Sequence, residues 1–196
     1  TISKKNWLTH LLNELPISTG TSVSPFGGIS VVLSFFAVLW FFYIAGWVHQ
    51  ENLRLFQVIT LGVGLMTILG IYDDIYHCSP NIKLFFQISI AVILYFAGFQ
   101  IERFGSIIEL GPFSILLTIL WIVGITNSIN LIDGIDGLAS GLILLSCITL
   151  SFVYLERDTV VASFLAVILT GSVLGFFIFN FPPAKIILGD TGSLPL

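Results

Sequence analysis

Long apolar runs govern what this chain can become. Six stretches, Ile29–Val48, Leu53–Tyr72, Leu84–Phe99, Phe113–Ile125, Leu138–Leu155 and Val160–Phe181, approach or reach the length of a membrane-crossing helix. A helix needs about 20 apolar residues to cross the hydrocarbon core. Each run is apolar around its whole circumference, which suits lipid or a bundle interior rather than a one-sided surface helix. The fourth is short, and its helix is expected to extend back towards Ile107 or forward into Asn130. Glycines within the runs, such as Gly62 and Gly64 or Gly171 and Gly175, allow close helix contact. The predicted fold class is therefore all-α, a polytopic transmembrane helix bundle of about six spans forming one transmembrane domain over residues 1–196.

Charge supports this reading. Only 9% of the 196 residues are charged and the mean hydropathy is +1.04, whereas a soluble domain carries roughly 25% charged residues. The formal net charge of −4 supplies no basic stripe, so nucleic acid is excluded as a partner. Cys78 and Cys147 fall at different depths and predict no disulfide. The first 20 residues lack the apolar core of a signal peptide. The chain begins at Thr1 and stops after a glycine-rich polar motif, and both ends read as those of a fragment.

Six crossings alternate sides, so loops can be assigned to faces. Five of the six aspartates (Asp73, Asp74, Asp133, Asp136 and Asp190) fall on the face shared by loops 73–83, 126–137 and 181–193. Asp158 falls on the other face, as do all the glutamates except Glu14. Lys4, Lys5, Lys83 and Lys185 lie on the aspartate face, against Arg54, Arg103 and Arg157 opposite. That excess, four against three, orients the aspartate face towards the cytoplasm.

Each loop has its own chemistry. Asp73 and Asp74 are adjacent carboxylates at a membrane interface, and their mutual repulsion calls for a divalent cation or a proton. Lys83 follows, able to pair with them or to hold a phosphate. In the second loop Asn127, Asn130, Asp133 and Asp136 recur every three residues. On an α-helix they sweep half the circumference, and on a 3₁₀ turn they align. Gly134 and Gly137 permit positive φ beside them. In the third, Pro182 and Pro183 stop the sixth helix, and Gly189-Asp190-Thr191-Gly192-Ser193 offers a carboxylate in a turn rich in hydroxyls and backbone amides. That combination suits magnesium shared with a phosphate.

In this order, Asp73-Asp74 with Lys83, the segment from Trp121 through Asn127 to Gly141, and Asn180 to Ser193 are similar to the signature segments of the polyprenyl-phosphate N-acetylhexosamine-1-phosphate transferases, the glycosyltransferase family 4 type. The resemblance runs over about residues 70–196. It looks closer to the branch that initiates enterobacterial common antigen and teichoic acid linkage units than to the phospho-MurNAc-pentapeptide branch. It implies a bacterial inner-membrane enzyme of ten or eleven spans that transfers a UDP-activated N-acetylhexosamine 1-phosphate to polyprenyl (undecaprenyl) phosphate, itself a membrane lipid, and releases UMP. Magnesium is the implied cofactor, and a homodimer is a possible assembly.

The resemblance implies roles as well. Asp190 and Asp74 would hold the metal, and Asp73 would be the base or nucleophile, the three forming the catalytic set. Lys83, Asn127, Asn130, Asp133, Asp136, Gly189 and Ser193 would contact substrate. Two features depart from the family pattern. Ser22 to Gly28 keeps the paired glycines without the preceding arginine, and Asn13-Glu14 lacks the basic residues expected beside it. The family's histidine motif is also absent, and His10, His49 and His77 do not stand in for it, so the fragment is expected to be inactive alone. The competing readings are a carboxylate-dependent ion or proton transporter, which requires acids in mid-span, and an inactive relative that only binds lipid-linked precursors. A CDP-alcohol transferase is excluded because Asp136-Gly137 is followed by Leu138-Ala139-Ser140.

Overall fold

The structure is a computed structural model describing residues 27–47, 50–104 and 108–196. Expectations for Asn13-Glu14, the loop before Gly27, His10, His49 and Val48 lie outside the described residues. Among the described residues six long helices carry the fold: α1 (Gly27–Ile44), α2 (Leu53–Tyr76), α3 (Pro80–Ala97), α4 (Ser114–Ile132), α5 (Leu138–Glu156) and α6 (Val160–Asn180). A single turn, α7 (Asp190–Ser193), closes the described chain. Between α3 and α4 two short antiparallel strands, β1 (Arg103–Phe104) and β2 (Ile108–Glu109), form a ribbon in which Arg103 pairs with Glu109.

All six helices are long and apolar enough to cross a membrane. Their packing is that of a lipid-solvated bundle, for between 17% and 33% of each span is buried. Leu131 is 82% exposed and Ile44 81%. Such faces require hydrocarbon around them, since water would penalise every one. Among the described residues the interior is divided into three clusters. Val31, Ile143, Val173 and Phe176 join α1, α5 and α6; Met66, Leu69, Ile90 and Leu94 join α2 and α3; Phe35, Leu39, Phe56 and Ile168 join α1, α2 and α6. Leu188 and Leu194, fully buried, drive the chain after α6 into the first and second of these clusters.

The helix limits matter in two places, the first a departure from the sequence reading and the second the forward extension that it allowed. The second helix runs on to Tyr76, so Asp73 and Asp74 occupy its last turn rather than a loop. The fourth extends forward to Ile132, so Asn127 and Asn130 are helical and the turn between α4 and α5 is only 133–137. Hydrogen bonding explains both. Each residue added to an established helix closes another backbone bond, and near hydrocarbon an unpaired amide costs several kcal/mol, on the order of a lost hydrogen bond or more. Polar side chains thus extend a span as long as they find partners. The helix after the turn is preceded by Gly137 at its N-cap, with φ of 74°. Of the two glycines that permit positive φ in this turn, Gly137 adopts it and Gly134 does not. The sixth helix stops at Asn180, before the prolines, as expected.

The far face is closed by a smaller polar network. Thr118, fully buried, accepts the Ile101 N–H at 3.0 Å and donates to the Ser114 carbonyl at 2.8 Å. This ties the strand ribbon to α4. Cys78 and Cys147 are both free.

Candidate active site

Three helix ends and one turn converge on a single ammonium group. Lys83, in the first turns of α3, points its Nζ at Asp73 Oδ2 (3.0 Å), Asn130 Oδ1 (3.3 Å) and Asp190 Oδ2. The partners come from α2, α4 and α7, separated by 10, 47 and 107 residues from Lys83. Proline at the first position of α3 fixes where this helix starts and hence which turn carries the lysine. The Lys83, Asp73 and Asp190 side chains are only 13%, 14% and 23% exposed. In such a half-buried setting a charge needs hydrogen-bonded partners to offset lost hydration.

Asn130 organises the group. Its Nδ2 donates to Asp190 Oδ1 at 2.6 Å and to Ser193 Oγ at 2.8 Å, while its carbonyl accepts from Lys83. One turn earlier Asn127 Nδ2 donates to Gln87 Oε1 at 2.7 Å. Gln87 is fully buried and stands one helical turn after Lys83. A ladder of amides therefore runs inward from the charged cluster between α3 and α4. Ser193 is itself fully buried, so its hydroxyl fixes Asn130 rather than facing outward.

The adjacent carboxylates of Asp73 and Asp74 diverge around α2. Asp73 Oδ1 accepts the Cys78 N–H at 2.7 Å, and its other oxygen meets Lys83. Asp74 turns to the backbone of α7, where Oδ1 accepts the Asp190 N–H at 2.9 Å. Its Oδ2 accepts the Thr191 N–H at 2.9 Å and the Thr191 hydroxyl at 2.5 Å. Repulsion between the two acids, which the sequence reading assigned to a cation or a proton, is relieved by separate partners.

The turn bearing Asp190 sits in a seat of glycines. A Cβ on Gly28 would stand 2.2 Å from the Gly192 nitrogen, and one on Gly70 would stand 2.3 Å from the Asp190 carbonyl oxygen. The Gly27 and Gly28 amides donate to the Ile187 and Leu188 carbonyls at 3.1 and 2.9 Å. The paired glycines thus hold the segment leading into α7, a role the sequence did not reveal.

Asp133 and Asp136 separate. Asp133 lies beside the Gly189 amide, and burial pushes its carboxyl up to about 7, with Asp190 and Asp74 adding to the shift. Burial likewise raises Asp190, helped by Asp73 and opposed by Lys83 and Asn130. Asp136 is exposed and accepts the Ala184 N–H at 3.0 Å. It therefore holds the proline loop, and no hydrogen bond or ion pair among the described residues joins it to the Lys83 cluster. Asn180, which opens the third segment but took no role of its own from the sequence, is buried and accepts from Gly137 N (3.1 Å) and Ser140 Oγ (2.6 Å) while donating to the Ile186 carbonyl (2.9 Å).

Among the described residues no group of three His, Cys, Asp or Glu side chains is placed to hold a metal ion. Three oxygens nevertheless surround one cation, from Asp73, Asp190 and the Asn130 amide. Magnesium binds through hard oxygens, typically one or two carboxylates plus phosphate and water, so the donor set fits it. No acid lies in the middle of a span among the described residues, which disfavours a transporter built on intramembrane carboxylates.

Comparison with known proteins bears on the same residues. The family model described as glycosyl transferase family 4 matches residues 56–196. The chain is 38% identical over 173 residues to a Bacillus subtilis (strain 168) protein named "Probable undecaprenyl-phosphate N-acetylglucosaminyl 1-phosphate transferase", covering 86% of this chain and 47% of that protein. It is 33% identical to the phospho-N-acetylmuramoyl-pentapeptide-transferase of Streptococcus sanguinis (strain SK36), covering 87% of this chain and 55% of that one. With the protein of the same name from Streptococcus uberis (strain ATCC BAA-854 / 0140J) it shares 35% identity, over 85% and 52%. The chain spans about half the length of the curated relatives it matches.

Proposed function

Because the chain belongs to glycosyl transferase family 4, we propose that the protein transfers an N-acetylhexosamine 1-phosphate from a UDP-sugar to a polyprenyl phosphate. The observation that carries this is the Lys83 cluster, where one cation, two acids and an amide meet at the ends of membrane-spanning helices. The reaction joins two anions and needs positive charge between them. One substrate keeps its tail in the bilayer, so the chemistry must lie where helices emerge. On the positive-inside reading this is the cytoplasmic face of a bacterial inner membrane, and the product begins a cell-envelope polysaccharide.

In the exchange itself an oxygen of the polyprenyl phosphate bonds to the β-phosphorus of the UDP-sugar. The bond from that phosphorus to the bridging oxygen breaks, and UMP leaves with the electron pair. Lys83 would contact the phosphates, and Asp73, paired with it, would take the proton of the acceptor phosphate. Asp190, beside Asp73, would hold magnesium, with Asn130 keeping it aimed at Lys83. Magnesium, when bound, neutralises charge building up on the diphosphate. Asp133, raised by burial and set beside the Gly189 amide, would serve the nucleotide end together with Asn127. The name of the B. subtilis relative favours N-acetylglucosamine as the sugar.

The test is UMP release from UDP-GlcNAc and undecaprenyl phosphate, using membranes containing the protein as its gene encodes it. Magnesium-dependent release that falls at least about 100-fold in Asp190→Asn is expected, the scale of losing a preorganised charge contact. No UMP from any UDP-N-acetylhexosamine would refute the proposal.

A further inference from the structure

Of the two adjacent acids at the end of α2, only Asp73 faces the charged cluster. Asp74 has both oxygens turned to the backbone on either side of Asp190, accepting three hydrogen bonds of 2.5 to 2.9 Å. A carboxylate offers about four lone-pair sites, so little acceptor capacity is left for a ligand. The donors are the consecutive amides of Asp190 and Thr191 together with the Thr191 hydroxyl, all in the turn that aims the Asp190 side chain.

A second contact lies one helical turn earlier on the same face of α2. At Gly70 the helix touches the Asp190 carbonyl so closely that no side chain fits between them. Gly70 and Asp74 thus grip the same two residues, one by close approach and the other by charge-assisted hydrogen bonds. Thr191 is fully buried against this grip. From there Asp190 reaches Lys83 and Asn130.

We infer that Asp74 is a positioning residue, a latch between α2 and the Asp190 turn, and that it contacts neither substrate nor metal. Its effect on catalysis is exerted through the place of Asp190. Only the activity part of this inference rests on the transferase reading.

The test has a metal-free arm and a kinetic arm. In lipid nanodiscs with chelator, backbone hydrogen exchange is followed for wild type, Asp74→Ala and Thr191→Val. Asp74→Ala should speed exchange in the segment 186–194 at least about tenfold, as removal of charge-assisted hydrogen bonds implies. Thr191→Val, which keeps both amides, should give a smaller increase in the same segment, and residues 126–132 should be unchanged. Unaltered exchange at 186–194 in Asp74→Ala overturns the latch whatever the protein's activity. If Asp74→Ala does not fold, Thr191→Val decides in the same way.

In UMP release, Asp74→Ala should lower kcat on the order of 100-fold, the cost of misplacing a catalytic group by about 1 Å. KM for UDP-GlcNAc should stay within about twofold. The double variant Asp74→Ala/Thr191→Val should be no worse than Asp74→Ala, because both act through one turn. Multiplying losses in the double variant, or full activity in Asp74→Ala, would overturn the inference. Should wild type release no UMP while exchange behaves as expected, the latch stands and the proposed function falls.

Discussion

Exchanging glycine for alanine at two places on one helix separates close packing from helix propensity. Gly64 and Gly70 both lie inside α2. A Cβ at Gly64 meets nothing within 4 Å, whereas one at Gly70 would lie 2.3 Å from the Asp190 carbonyl oxygen and 2.6 Å from Thr191 Cα. Both partners are backbone, so no side chain can swing aside. Restoring ordinary contact from 2.3 Å to 3.4 Å moves the Asp190 turn by about 1.1 Å. That stretches the 2.9 Å bonds to Asp74 beyond hydrogen-bonding distance. Alanine gains about 1 kcal/mol of helix propensity at either site, and this cancels in the comparison. What remains is overpacking, about 1–3 kcal/mol. On the scaling of soluble domains of this size, Gly70→Ala should melt about 2–12 °C below Gly64→Ala. Its UMP release should also fall on the order of 100-fold, since Asp190 moves with its turn. Thermal unfolding in detergent and initial rates in membranes check both. Equal melting temperatures and equal rates for the two variants would refute the glycine seat.

Two further outcomes follow from the burial of polar groups. Asp133 is raised to about 7 when folded against an ordinary value of 3.8, so between these limits the folded state holds the extra proton. Metal-free stability should therefore decline as pH rises from about 4 to 7 and level off above, and Asp133→Asn should flatten that slope in thermal melts. Asn180→Ala strips partners from Gly137, Ser140 and Ile186 at once. With each orphaned group costing about 1–3 kcal/mol, a total loss of several kcal/mol is expected. A melting temperature within about 2 °C of wild type would show that water replaces the amide.

The spans were legible because lipid imposes its length on sequence, and all six runs became helices. Alternation of sides was equally readable, and it brings Asp73, Asp190 and Asn130 together around Lys83 as the aspartate count suggested. The sequence could not show which partner each polar group takes. Asp73 and Asp74 look equivalent in the chain, yet a 100° step around α2 gives one to Lys83 and the other to the α7 backbone. Asn127 and Asp136 belong to one three-residue pattern, but helix α4 carries Asn127 to Gln87 while the turn gives Asp136 to Ala184. Gln87 and Asn180 stand near the ends of apolar runs, and a single amide there does not show which groups it will pair with. Gly28 and Gly192 are matched by contact across 164 residues, which no local period reveals.

The separation between Asp74 and Thr191, 117 residues, orders events in biogenesis. Synthesis at about 5–20 residues per second places roughly ten seconds between emergence of the two halves of this contact. Throughout that interval α2 to α6 can enter the bilayer, but Asp74 has no backbone to hold and Lys83 only one of its two acids. The charged cluster therefore forms only once Asp190 has been made, rather than growing with each helix. A ribosome stalled before Asp190 would leave these helices threaded with Asp74 and Lys83 both short of the turn that joins them.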